Sequence, residues 1–102
     1  MKNLNNALLN EIKKIIMGYK VPEKIVIFGS RAGRNFNETS DIDIAIFGRD
    51  WTDKDVNIVK DKIEECVKTP LKFDVVNFYG LTKKSLKENI LKGKVIYDSG
   101  KN

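Results

Sequence analysis

The stretch that decides the fold is residues 24–47, KIVIFGSRAGRNFNETSDIDIAIF. It opens with a run of β-branched and aromatic residues from Lys24 to Phe28, which stops at Gly29-Ser30 and is typical of a buried strand ending in a glycine turn. Residues 33–40 are polar and rich in turn formers, so they predict a loop. Asp41 to Phe47 then alternates polar and apolar residues, the period-two signature of a second strand.

Helix and strand patterns lie on both sides of this stretch. Apolar residues at helical spacing predict helices over residues 4–19, from Thr52 to Pro70, and over residues 82–92. Runs typical of strands lie at residues 71–78 and 95–97. The order of these elements predicts an α/β (α+β) fold, in which helices pack on a small mixed sheet.

The apolar spacing also predicts which side chains form the core. We expect Cys66 to be a small core residue of the second helix, and the third helix to bury Leu86, Ile90 and Leu91. Trp51 lies in a connecting segment, where it either packs against the core or, if exposed, contacts a partner. Packing is the more common role of such a residue.

The composition excludes several kinds of chemistry. The chain has 102 residues, no histidine and one cysteine. A Ser-His-Asp triad, a Cys-His pair and a His-ligated zinc site are therefore excluded, and so is an internal disulfide. The length predicts a single domain over residues 1–102, and the absence of a long apolar run or signal sequence predicts a cytoplasmic protein without a membrane span. So small a domain has little area for a second substrate, and we expect a partner or self-association to complete its site.

The chain carries a net charge of +5, from 19 basic and 14 acidic residues. Its lysines occur along the whole length rather than in one run. This distribution favours a solvated surface over a dedicated polyanion site, so a nucleic acid template is not expected.

Carboxylates interrupt two of the predicted strands. Asp41 and Asp43 are two positions apart in one strand and so share a face, and Asp74 interrupts a later strand. Asp53 and Asp55 have the same spacing at a predicted helix start, where negative charge is favourable in any case, so the spacing alone is weak. A charge in a buried strand, however, is costly without a partner, and oxygen ligands suit Mg²⁺. Asp41, Asp43 and Asp74 therefore predict a shared divalent-metal site.

Gly29-Ser30 has two interpretations. Taken alone, it is most simply a turn after a strand. If residues 30–34 open a short helix, the glycine lets a phosphate approach the backbone and the free amides face the anion. Combined with three carboxylates, the second interpretation describes a nucleoside triphosphate held between amides at one end and Mg²⁺ at the other.

These residues together resemble the minimal nucleotidyltransferases of the DNA polymerase beta superfamily. The resemblance rests on Ile27 to Ala32 (IFGSRA), on Asp41 to Ala45 (DIDIA) with ten intervening residues after Ser30, and on Asp74 in a later strand. It covers essentially the whole chain. The fold that it implies, a mixed sheet flanked by helices, agrees with the pattern of elements predicted above.

The resemblance implies a role for each matched residue. Asp41 and Asp43 hold two Mg²⁺ ions, and Asp74 ligates one of them and is a candidate base for the acceptor hydroxyl. The residues implied in nucleotide binding are Gly29, Ser30, Arg31, Arg34 and Ser40. One departure is the order Gly33-Arg34, where such proteins usually have a basic residue and then glycine, and it changes the predicted reach of Arg34 toward the phosphates.

The resemblance also implies an activity and a partner. An acceptor hydroxyl attacks the α-phosphorus of ATP, AMP is transferred and pyrophosphate leaves. Minimal members commonly occur beside a helical HEPN-type protein, an RNase toxin, so the implied function is that of an antitoxin that adenylylates this partner.

Two other functions stay open at this point. The chain could be a non-catalytic nucleotide-binding module that neutralises a HEPN-type partner by contact. It could also transfer a nucleotide to a small molecule, as do larger relatives that carry an additional helical domain. Incubation of the partner with radiolabelled ATP distinguishes the first two functions. Label on the partner indicates transfer, and neutralisation of the partner without label indicates binding alone.

Overall fold

The computed structural model describes residues 6–28, 42–67 and 72–100. It contains three α-helices and four strands within these ranges, in the order helix, strand, strand, helix, strand, helix, strand. The elements are α1 (Asn6–Tyr19), β1 (Lys24–Phe28), β2 (Ile42–Phe47), α2 (Asp53–Cys66), β3 (Phe73–Asn77), α3 (Lys84–Leu91) and β4 (Lys94–Asp98). None of these helices is long and apolar enough to cross a lipid bilayer.

The four strands form one mixed sheet in the order β3-β2-β1-β4. The strand β1 is antiparallel to both of its neighbours, whereas β2 and β3 are parallel. The predicted small mixed sheet is confirmed. Because β2 and β3 run the same way and β1 runs against them, the end of β1 and the starts of β2 and β3 lie at one end of the sheet.

The sheet separates two apolar layers. On one face, α1 and α2 pack against strand isoleucines such as Ile25 and Ile44, both fully buried. On the other face, α3 covers a smaller cluster around Val26, Ala45 and Phe47. Alternate residues of β1, β2 and β3 enter opposite layers, as the period-two geometry requires.

The second helix begins as predicted but ends earlier. The Thr52 side chain accepts a hydrogen bond from the Asp55 amide, and the Asp55 carboxylate accepts one from the Thr52 amide, a complete capping box. The prediction that the helix reaches Pro70 is wrong, because Val67 already has an extended backbone. Buried Val67 continues the apolar stripe of Ile63, and Cys66 is exposed rather than in the core.

Two further core predictions meet different outcomes. Ile90 is fully buried and Leu86 partly buried, as expected, but Leu91 is 62% exposed because it lies one residue beyond the inward stripe of α3. Trp51 is buried and its ring packs edge-on against Tyr19, with 5.8 Å between the ring centroids. The packing interpretation of Trp51 is therefore the right one.

The strand β3 is shorter than the predicted run of residues 71–78. It ends at Asn77, and Phe78–Gly80 form a single 3₁₀ turn that the sequence pattern did not indicate. The turn places the Phe78 ring on that of Phe47, with 4.1 Å between centroids. Stacking of these two aromatic rings closes the α3 side of the sheet.

Candidate active site

Two of the predicted site residues lie side by side on the sheet. Asp43 of β2 and Asp74 of β3 are register partners in the parallel pair. Neighbouring strands are about 4.8 Å apart, and paired residues point to the same face. The two aspartates, 31 positions apart in the chain, are therefore held at adjacent backbone positions.

The face on which these aspartates lie is the α3 face. Asp43 alternates with Ala45 and Phe47, both of which pack in the cluster beneath α3, and Asp74 alternates with Val76 of the same cluster. Ile42 and Phe73, by contrast, are buried on the opposite face. Asp43 is half-buried and Asp74 is exposed, so both carboxylates remain accessible at the edge of the apolar layer.

The end of β1 meets this aspartate pair. Phe28, the last residue of β1, pairs with Asp43 in the antiparallel ladder. The chain leaves β1 at Gly29, so the predicted phosphate-binding segment begins at the same end of the sheet. The strand order places β1, β2 and β3 next to one another, with Asp43 between the end of β1 and Asp74.

The chemistry of the pair fits a divalent cation. Two carboxylates at adjacent positions repel one another, and a cation bound by both reduces this repulsion. Mg²⁺ prefers carboxylate oxygens together with phosphate oxygens. Within the described ranges, no group of three or more Asp, Glu, Cys or His residues is close enough to hold a metal ion. The third predicted ligand, Asp41, lies outside these ranges.

The remaining predicted site residues also lie outside the described ranges. These are Gly29, Ser30, Arg31, Arg34 and Ser40. Their roles in nucleotide binding stay predictions.

Comparison with known proteins identifies the family. The sequence profile of the family "Polymerase beta, Nucleotidyltransferase" matches residues 10–102. The chain belongs to this family. No curated protein sequence matches this nucleotidyltransferase significantly.

Solved structures share the fold of this nucleotidyltransferase. A mutant of the toxin–antitoxin complex MntA–HepT, carrying two Asp-to-Glu substitutions, is 19% identical with a TM-score of 0.74, over 89% of this chain and 73% of that one. A toxin–antitoxin structure with AMP-PNP is 22% identical with a TM-score of 0.73, and the match again covers 89% of this chain and 73% of that one. The tri-AMPylated HEPN toxin of Shewanella oneidensis in complex with its MNT antitoxin is 21% identical with a TM-score of 0.69, over 91% of this chain and 71% of that one.

A second polar cluster of the nucleotidyltransferase has a structural role. Asp55 accepts hydrogen bonds from the Tyr19 hydroxyl at 2.6 Å and from the Lys20 ammonium at 3.1 Å, in addition to its capping contact with Thr52. The Tyr19 hydroxyl, then the Thr52 amide and the Lys20 ammonium hold the pKa of Asp55 well below its usual range. The cluster ties the end of α1 to the start of α2, so the Asp53-x-Asp55 spacing reflects helix capping.

A third polar contact also lies away from the aspartate pair. The Tyr79 hydroxyl donates to a Glu23 carboxylate oxygen at 2.9 Å, and the Arg49 amide donates to the other oxygen at 3.1 Å. These bonds, chiefly the one from Tyr79, lower the pKa of Glu23, and the carboxylate raises the pKa of Tyr79 in turn. No sequence signal marks this contact, because Glu23 and Tyr79 are 56 positions apart.

Proposed function

We propose that this chain is a Mg²⁺-dependent nucleotidyltransferase that transfers AMP from ATP to a hydroxyl group of a HEPN-type partner protein. The observation that carries the proposal is the register pairing of Asp43 with Asp74 at the end of the sheet where β1 gives way to Gly29. Family membership supports nucleotidyl transfer as the reaction class.

The assignment of AMP and of a protein acceptor is supported by the structural neighbours. One is a complex that contains an AMPylated HEPN toxin, and another contains AMP-PNP. In a third, the two aspartates replaced by glutamate are two positions apart, the spacing of Asp41 and Asp43 in this sequence. This spacing is the one expected of a carboxylate pair on one face of a strand.

Each residue has a distinct task in the proposed reaction. Gly29 and Ser30 bind the triphosphate, with Arg31, Arg34 and Ser40 around it. Asp41 and Asp43 would hold two Mg²⁺ ions, which neutralise charge on the phosphates and on the reacting oxygens. Asp74 lies on β3, on the side of Asp43 away from β1, and would ligate one of the two ions and act as the base for the acceptor hydroxyl.

The proposed step forms one bond and breaks one bond. The acceptor oxygen bonds to the α-phosphorus of ATP, and the bond from that phosphorus to the oxygen bridging to the β-phosphate breaks. Pyrophosphate leaves with the electron pair, and the Asp74 carboxylate accepts the hydroxyl proton. No histidine is required, which agrees with a chain that has none.

The proposal is tested with ATP labelled on the α-phosphate. The purified chain, Mg²⁺ and a HEPN-type protein from the same organism are incubated together, and label is measured on that protein. Transfer predicts label that stays on the partner after denaturation. Suppression of the partner's RNase activity without any label would overturn the proposal and identify a module that acts by contact.

A further inference from the structure

Most of the net positive charge of the chain is carried by one short segment. Residues 83–94, KKSLKENILKGK, contain five of the 19 basic residues and one of the 14 acidic residues. These 12 positions therefore account for +4 of the net charge of +5. The segment comprises the N-cap of α3, the helix itself and the turn into β4. The lysines occur along the whole chain, but this segment holds most of their excess over the carboxylates.

The start of α3 lacks the features that usually stabilise a helix N-terminus, namely a capping side chain and an acidic first turn. Lys83 is its N-cap and makes no side-chain capping bond, and the first turn contains no acidic residue. The start of α2, with Thr52 as N-cap and Asp55 in its first turn, has both features. Lysines at a helix N-terminus oppose the helix dipole, so they do not serve the stability of the isolated chain. Such local departures are expected where a surface serves function.

Within the described ranges, the lysines of this segment form no ion pair. In the described part of the chain, the ion pair found is Lys20 with Asp55, and none of the five segment lysines has a carboxylate within 4.0 Å. Lys87 contacts an aromatic face, with its ammonium 5.8 Å from the centroid of the Phe78 ring. That contact leaves the charge in place.

Charged and apolar groups share one face of α3. Lys84, Lys87 and Leu91 occupy positions i, i+3 and i+7, which lie along one side of a helix. Leu91 is 62% exposed, and Val95, just beyond the turn, is 49% exposed. We call Lys84, Lys87 and Leu91 the lysine face.

The lysine face leads to the active-site end of the sheet. Gly93 packs so closely on the Ile27 carbonyl that an added Cβ would overlap it. Ile27 is the register partner of Lys94 and lies two residues before Gly29. The C-terminal end of α3 is therefore beside the end of β1, where the phosphate-binding segment begins.

We propose that the lysine face docks the acceptor protein through an acidic surface that also carries an apolar contact for Leu91. The inference rests on the proposed function in taking the acceptor to be a protein. Leu91 favours a protein over a nucleic acid backbone, because backbone phosphates make no apolar contact with a leucine, whereas protein interfaces combine apolar centres with charged rims. Docking along α3 brings the acceptor to the end of the sheet that holds Asp43 and Asp74.

Charge reversal with a matched control tests the docking surface. The double variant Lys84→Glu/Lys87→Glu is compared with Lys54→Glu/Lys62→Glu, which reverses two exposed lysines of α2. Binding to the HEPN-type protein is measured by isothermal titration calorimetry without ATP. We expect the α3 variant to bind at least about tenfold more weakly, and the α2 variant within about threefold of the unmodified chain. Glutamate at the start of α3 suits the helix dipole, so a lower melting temperature is not expected to explain the loss.

The outcomes separate the docking surface from the proposed function. The docking surface is overturned if both double variants weaken binding to the HEPN-type protein equally, or if the α3 variant does not weaken it. Lysine-dependent binding of a short single-stranded RNA that competes with the HEPN-type protein would overturn it in favour of a nucleic acid surface. If the HEPN-type protein binds through these lysines but receives no AMP, the docking surface is supported and the proposed function is overturned. If the HEPN-type protein does not bind the unmodified chain at all, the docking surface and the proposed function are both overturned.

Discussion

Asp43 and Asp74 occupy paired positions on two parallel strands, β2 and β3. The pairing brings two like charges to one face of the sheet, beside the residue at which β1 ends. Like charges at this spacing repel one another, and a divalent cation bound by both carboxylates would replace that repulsion with attraction. The pairing therefore gives a physical reason for a metal-dependent site at this end of the sheet.

Magnesium should stabilise the folded chain through this pair. Because Mg²⁺ binds the native state, adding it is expected to raise the melting temperature of the unmodified chain. Asp74→Asn removes one carboxylate of the pair, so the increase should be much smaller in this variant. Asp61→Asn, an exposed acidic residue of α2, is the control and should keep the full increase. An undiminished increase in Asp74→Asn would show that Asp74 does not contribute to the metal site.

The Asp55 cluster predicts a specific dependence of stability on pH. The folded-state pKa of Asp55 lies below its unfolded value, so its stabilising effect is present above the unfolded pKa, about 4, and is lost as the pH falls toward the folded pKa. Asp55→Asn should lower the melting temperature at neutral pH, and the difference from the unmodified chain should shrink below about pH 4. Thermal unfolding followed by circular dichroism at several pH values checks this. A difference that is constant with pH would contradict it.

Two glycines predict opposite effects of the same substitution. Gly93→Ala places a methyl group against the Ile27 carbonyl and 2.7 Å from Val26 Cγ1, and should cost about 1–3 kcal/mol of unfolding free energy. Gly18→Ala lies in α1 with no atom within 4 Å of the added carbon, and should gain up to about 1 kcal/mol. Urea denaturation measures both. Equal effects of the two substitutions would refute the close approach at Gly93.

Cys66 should behave as a surface thiol. It is exposed, so a thiol reagent is expected to modify it fully in the native protein, without denaturant. Cys66→Ser should change the unfolding free energy by less than about 0.5 kcal/mol. A thiol that reacts only after unfolding would instead place Cys66 in the core.

Local patterns predicted the elements well because their signals are local. The run of Lys24 to Phe28 was predicted with both of its observed bounds, and the capping box at Thr52 agrees with the acidic first turn seen in the sequence. The errors arise where two adjacent apolar residues compete for one inward position. In α3, Ile90 is buried and Leu91 is not, since a helix turns about 100° per residue and only one of the two can face the core. At the end of α2, Cys66 is the last helical residue and is exposed, while the extended backbone of Val67 carries its side chain into the core.

Contacts between distant residues could not be predicted in the same way. The carboxylate pattern placed Asp43 and Asp74 in one site, but their register pairing depends on the strand order, which no local signal specifies. The bond of Tyr19 to Asp55 joins residues 36 positions apart for the same reason. Asp41 and the phosphate-binding residues after β1 stay predictions that rest on the motif.

AMP transfer to a protein should depend on the paired aspartates Asp43 and Asp74. It is tested most directly by the intact mass of the HEPN-type protein after incubation with ATP, Mg²⁺ and this chain. The unmodified chain and Asp61→Asn should each add the mass of one or more AMP groups, whereas Asp43→Asn should reduce the rate of addition by at least about 100-fold while remaining folded. Undiminished addition by Asp43→Asn, or no addition by the unmodified chain, would contradict the account.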